Sequence, residues 1–236
     1  MKCPISRRFK RCALGVGVIL LLLGLFAIVQ FHIKETNADL ESKLCKNISS
    51  VYACSQAIEK FQLKRFGKLV KRKNKRLYLN IDSNKQVVIQ DKILNKLQDN
   101  ENDTLYSFRS FDKDINVYEV EIQYYESGAL LLVNKANGEQ IEVIGHIKRS
   151  PDKKRIISYN MDLQAGFDPN GFQILKLSNN HFIKELDVEL KNWGPSNAKW
   201  INKTEVEIEK TIFSSHGETI IGTARYILKN NKWVQK

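Results

Sequence analysis

A chain of 236 residues that is 42% hydrophobic, with four Cys, is long enough to bury a core in one or two domains. That composition excludes a disordered chain and a small disulfide-framework protein. Lys and Arg number 38 against 26 Asp and Glu, a formal charge of +12. The excess sits in two acid-free blocks, five cations in residues 1–12 and eight in residues 64–76, and the remainder is nearly neutral. This distribution does not fit a uniformly basic nucleic-acid binder, and no nucleic-acid partner is expected.

Residues 12–29 read CALGVGVILLLLGLFAIV, eighteen positions without a charge, and Gln30 and Phe31 extend the run toward the ~20 residues that span a bilayer. Lys2, Arg7, Arg8, Lys10 and Arg11 precede it with no acid among them. The positive-inside bias makes these five the topology determinants, keeping the N-terminus cytoplasmic and sending the rest across. The chain is therefore expected to be a single-pass protein of the inner (plasma) membrane. Residues 1–12 form its cytoplasmic tail, residues 13–31 a retained signal-anchor, and the C-terminal part is periplasmic or otherwise extracytoplasmic. The apolar run exceeds the h-region of a cleavable signal peptide, the competing reading.

Residues 32–63 are expected to form a helical stalk. Leu44, Ile48, Val51, Ala57, Ile58 and Phe61 recur at helical spacings. Cys45 and Cys54 are the only two Cys beyond the anchor, where thiols oxidise. In one unbroken helix residues nine apart lie on opposite sides and ~13.5 Å apart along the axis, beyond disulfide reach. A Cys45–Cys54 bridge thus requires a turn between them, for which Asn47, Ser49 and Ser50 are suited.

Residues 64–76, a basic linker in this reading, carry Lys64, Arg65, Lys68, Lys71, Arg72, Lys73, Lys75 and Arg76. Such a run either stays solvated or binds an anionic surface, a lipid head-group layer or a surface polyanion. Phe66 is the only ring among them, so a groove for single-stranded nucleic acid is not indicated.

From residue 77 to 236 the period becomes two. Leu77, Leu79 and Ile81 alternate with Tyr78 and Asn80, and Tyr118, Val120, Ile122 and Tyr124 with Glu119, Glu121 and Gln123. Leu186, Val188 and Leu190 alternate with Asp187 and Glu189, and Val206, Ile208, Lys210 and Ile212 with Glu205, Glu207 and Glu209. These are half-buried antiparallel strands. Turn residues at Asp82-Ser83-Asn84, Asn137-Gly138, Ser150-Pro151-Asp152, Asp168-Pro169-Asn170-Gly171, Ser178-Asn179-Asn180, Gly194-Pro195-Ser196-Asn197, His216-Gly217 and Asn230-Asn231 divide them into about nine or ten strands. A short helix is expected at Asp91–Leu97, followed by an acidic loop. The fold class is mainly β: an extracytoplasmic β-rich domain, partly propeller-like or a sandwich, behind the anchor and the stapled helices.

Asn137-Gly138-Glu139, followed by His146-Ile147-Lys148-Arg149-Ser150-Pro151-Asp152-Lys153-Lys154-Arg155-Ile156-Ile157-Ser158-Tyr159, resembles one blade boundary of a WD-like β-propeller of the periplasmic Tol type. Lys153 stands where that pattern has Gly. A fainter copy is Lys199-Trp200-Ile201-Asn202-Lys203-Thr204-Glu205-Val206-Glu207-Ile208. The likeness covers about 80 residues and carries no catalytic residue. It implies binding surfaces on the loops.

Motifs for nucleophilic, metallo- or nucleotide chemistry are missing, so no catalytic residue, metal ligand or cofactor is assigned. His32, His146, His181 and His216 are far apart in sequence, and Asp112-Lys113-Asp114 lacks the surroundings of a nucleotide-sugar enzyme. Trp193, Trp200 and Trp233 with Tyr124, Tyr125, Tyr159 and Tyr226 read as core, a binding face being the alternative. The reading that follows is a non-catalytic binding or accessory protein of the cell envelope, an inhibitor or immunity-type factor included, with an unidentified envelope protein partner. An envelope hydrolase with an unrecognised active site is the alternative.

Overall fold

The computed structural model describes residues 37–93, 102–215 and 217–236. The expected anchor and its flanking charges lie outside the described residues, and among the described residues no helix is long and apolar enough to cross a membrane. Two helices come first, α1 (Asn37–Cys45) and α2 (Val51–Phe66). Between them the chain turns as the cysteine spacing requires, and Cys45 and Cys54 are bridged with Cα atoms 5.2 Å apart. Ser50 caps α2, its hydroxyl accepting from Ala53 N at 3.3 Å.

Among the described residues fifteen strands follow, fourteen of them after the first in the stretch expected to hold nine or ten: β1 (Val70–Lys73), β2 (Arg76–Asn80), β3 (Gln86–Gln90), β4 (Leu105–Asp112), β5 (Val117–Gln123), β6 (Gly128–Asn134), β7 (Gln140–Val143), β8 (His146–Arg149), β9 (Arg155–Asn160), β10 (Gly171–Ser178), β11 (His181–Glu189), β12 (Gly194–Asn202), β13 (Glu205–Ser214), β14 (Gly217–Lys229) and β15 (Lys232–Gln235). They pair in chain order as four antiparallel meanders, β1–β3, β4–β7, β8–β11 and β12–β15. The start of the expected helix at Asp91 is extended instead, with Lys92 bridged to Thr104; residues 94–101 lie outside the described residues.

The extra strands have a physical origin in how the sheets stack. Leu77, Leu79 and Ile89 of the first sheet share a core with Phe108, Tyr118, Val120 and Val133 of the second. The opposite face of the second supplies Val117, Leu132 and Val143 to a core with Ile156, Leu175 and Phe182 of the third. The third sheet then turns Ile157, Tyr159, Phe172 and Ile174 to Val206, Ile208, Ala224, Tyr226 and Trp233 of the fourth. Strands of the two middle sheets are covered on both faces, so β6 (GALLLVN) and β9 (RIISYN) lose the polar alternation that marks a half-buried strand. Among the described residues the four sheets do not close into a ring.

Polar clasps tie neighbouring sheets at their margins. Asn134 and Asn137 both donate to Asn180 O, at 2.9 and 2.8 Å, joining the second sheet to the β10–β11 turn. Arg155 binds Glu185 through two nitrogens, at 2.7 and 3.1 Å, and Trp233 Nε1 donates to the same carboxylate at 2.9 Å. Burial opposes the charge on Glu185, but these donors outweigh it and hold its pKa below the usual carboxylate range.

Candidate functional site

The basic block is not a free linker. Lys64 and Arg65 complete the last turn of α2, where cations face the negative end of the helix dipole. The next residues form the first hairpin, turned at Asn74 with φ of 52°. Alternation along β1 then separates the cations by face. Val70 and Arg72 lie opposite Leu79 and Leu77 on the inner side; Lys71 and Lys73 lie opposite Tyr78 and Arg76 on the outer side.

Arg72 is consumed internally. Its Nε and Nη2 meet Glu59 Oε1 and Oε2 at 2.8 and 2.7 Å, its Nη1 reaches Asp91 Oδ2 at 3.2 Å, and its Nη2 also donates to Tyr106 O. Glu59 Oε2 accepts from Phe108 N at 2.7 Å, and Asp91 Oδ1 from Tyr106 N at 3.1 Å. One guanidinium therefore joins α2, the first sheet and β4. Burial works against its charge, yet the two carboxylates more than offset this and raise its pKa.

The outer face is different in kind. The register places Lys71, Lys73, Arg76, Tyr78, Asn80, Gln86, Val88 and Gln90 on it, with no acid among them. Lys71, Lys73 and Arg76 are exposed, as is Val88 at 50%. Lys73 sits directly across from Arg76, a like-charge pair that weakens a sheet unless something negative covers it. Arg76 Nε donates to the neutral Gln90 Oε1 at 3.0 Å. Exposed Lys64, Arg65 and Lys68 and half-buried Lys75 stand in the adjoining helix end and turns. Among the described residues none of these seven cations has a carboxylate partner.

The other singled-out residues have structural employment. Asp112 and Asp114 share Arg149 Nη1, at 2.6 and 3.2 Å, with Lys153 Nζ 3.2 Å from Asp114. His181 Nδ1 is 3.1 Å from Glu139 Oε2, and His146 lies against Tyr159 with centroids 5.8 Å apart; His32 and His216 are outside the described residues. Asp168 Oδ1 accepts from Gly128 N at 2.9 Å. Trp233, Tyr159 and Tyr226 are buried and Trp193 and Trp200 pack against them, whereas Tyr124 and Tyr125 are exposed.

Glu59 and Asp91, which decide that Arg72 points inward, were not anticipated from sequence. Nor was Val88 as part of the outer face, whereas Tyr78 follows from its alternation with Leu77 and Leu79. The pattern Val70-Lys71-Arg72-Lys73 does hold the signal, since strand alternation puts Arg72 with Val70 and the two lysines opposite. No protein-family model matches the chain, and no curated protein resembles it closely enough to count as a relative.

Proposed function

We propose that the protein is a non-catalytic binding or accessory protein of the cell envelope, held in the inner membrane by its apolar N-terminal segment, whose first sheet engages an anionic surface. The observation that carries this reading is the acid-free outer face of β1–β3, where Lys71, Lys73 and Arg76 are exposed together. Phosphate or carboxylate groups, on lipid head groups or on a surface polyanion, would relieve the Lys73–Arg76 repulsion and use the neighbouring cations at about 1 kcal/mol each. Exposed Val88 beside half-exposed Tyr78 gives that face an apolar contact of the kind that seats against a head-group layer.

The blade-like resemblance belongs to the same proposal. Support for it comes from the three four-stranded meanders, whose first strands begin at Leu105, His146 and Gly194, roughly the interval of a propeller blade. Lys153, at the position where the motif has Gly, takes φ of 60°. An inhibitor or immunity-type role would use the loops of these sheets toward an envelope protein.

In-cell photocrosslinking of the full chain tests the reading, with probes at positions 71, 73 and 88 and a control at exposed position 183. Salt-sensitive adducts to anionic lipid, or to a wall polyanion, from the first three positions alone support it. Adducts no different from the control, or turnover of an envelope substrate by the purified chain, contradict it.

A further inference from the structure

β13 and β14 extend past the rest of their sheet. β12 joins the ladder only at Thr211, paired with Gly194, and β15 pairs with Tyr226–Lys229. The slot beside β14 is occupied as far as Arg225, whose carbonyl accepts from Lys236 N at 2.9 Å. Residues 217–224 of β14 are thus laddered to β13 on one side and to nothing described on the other.

This open edge is also apolar. Phe213, Ile220 and Ile221 are 46, 61 and 47% exposed, and Thr219 and Thr223 are exposed beside them. A register shift opposite Lys210 and Thr211 inserts Ile221, and Gly222 takes φ of 129°, which L side chains rarely adopt. No charge falls between Glu218 and Arg225. Three other outer strands carry the usual charged safeguard against edge pairing, Lys71 and Lys73 on β1, Lys148 and Arg149 on β8 and Lys232 on the short β15, while the five-residue β3 is uncharged.

We propose that this edge receives the same edge of a second copy of the chain, antiparallel across a two-fold axis near Ile221. The end charges select that occupant and that direction. Glu218 stands at the tip of the arm and Arg225 at its base, so antiparallel pairing brings each Glu218 to the other copy's Arg225 end, whereas parallel pairing sets like charges together. Arg225 is held by Glu207 through Nε at 2.8 Å and has Glu205 Oε1 4.0 Å from Nη1, which leaves Nη2 for a further carboxylate. The paired arms cover Ile220 and Ile221 and supply main-chain partners to both edges.

The test uses the full-length chain in zwitterionic detergent, its mass followed by light scattering and sedimentation across concentration. The proposal requires a concentration-dependent dimer that both Ile220→Lys and Glu218→Lys weaken by roughly tenfold or more. Circular dichroism and unfolding midpoints should be unchanged, since both side chains are exposed. In a Cys3→Ser, Cys12→Ser background, Ile221→Cys should crosslink between copies on oxidation and Lys199→Cys should not. A monomer at every concentration overturns it, as does a dimer indifferent to both substitutions. Capture of a different protein strand on this edge, or entry of the arm into lipid vesicles without self-association, also overturns it.

Discussion

Glu59 of α2 and Arg72 of β1 meet through two parallel hydrogen bonds of 2.8 and 2.7 Å, thirteen residues apart in sequence, with both side chains largely shielded from water. Planar fork matching of this kind fixes orientation as well as energy. It makes α2 part of the β domain, because Glu59 simultaneously accepts from Phe108 N.

Removing either partner leaves a shielded charge without its main compensation, Arg72 keeping only Asp91 and Tyr106 O, and Glu59 only Phe108 N. Arg72→Ala and Glu59→Ala should each destabilise the chain by about 3–5 kcal/mol in urea unfolding, far more than Lys71→Ala. A cycle including the double variant should show a total smaller than the sum of the singles, since the second removal relieves the orphaned charge.

Lys153 tests the turn chemistry. Its φ of 60° lies in the left-handed region, within a turn where buried Ser150 accepts from Arg155 N at 3.0 Å and Asp152 from Lys154 N at 3.2 Å. Lys153→Gly should stabilise by about 0.5–1 kcal/mol, read as a higher unfolding temperature, because the backbone strain removed exceeds a half-exposed ion pair to Asp114. Ser150→Ala should cost about 1–3 kcal/mol.

How much of this was legible depended on whether a residue faces one environment or two. The alternation of Val206 and Ile208 against Glu205, Glu207 and Glu209 reads directly as a strand because the outer face of that sheet is wet. The staple was equally legible, since a bridge between Cys45 and Cys54 is impossible in a straight helix. β6 and β9 were not, because burial on both faces erases the period. Nor was the split of the basic block: a charge run shows how many cations are present, while their division between the core side and the solvent side depends on Glu59 and Asp91 arriving from elsewhere in the fold. The exposed arm of β13 and β14 was hidden for a related reason, because isoleucines in a strand pattern signal burial by default.

The loop between β9 and β10 should respond to acid. Asp162 accepts from Asp168, Gly166, Phe167 and Ala165 N–H groups at 2.8–2.9 Å, and the bond from Asp168 leads in holding its pKa below the ordinary carboxylate value. A depressed folded-state pKa contributes stability above the unfolded value, near 4, and that contribution disappears as pH falls through the folded value. Amide exchange at residues 165–168 should therefore accelerate below about pH 4 relative to neighbouring loops, after correction for intrinsic rates. Asp162→Ala should abolish that difference and leave the loop open at neutral pH.

Reduction of Cys45–Cys54 frees a loop closed over nine residues, worth about 2–3 kcal/mol of chain entropy. With reductant, or in Cys54→Ser, α1 and residues 46–50 should lose amide protection while β4–β15 keep theirs, as seen by hydrogen exchange with mass readout. Equal loss across all sheets would contradict the local role.

The central claim, that the outer face of the first sheet binds anions, is tested most directly with the full chain held in neutral-lipid nanodiscs and titrated with phosphatidylglycerol vesicles, phosphatidylcholine vesicles and a soluble anionic polymer in parallel. Salt-sensitive capture of an anionic partner and none of the neutral vesicles is expected, with Lys71→Glu, Lys73→Glu and Arg76→Glu each weakening capture by about fivefold and leaving stability intact. Capture that survives the triple substitution, or no preference for anionic over neutral vesicles together with no binding of the polymer, would contradict it.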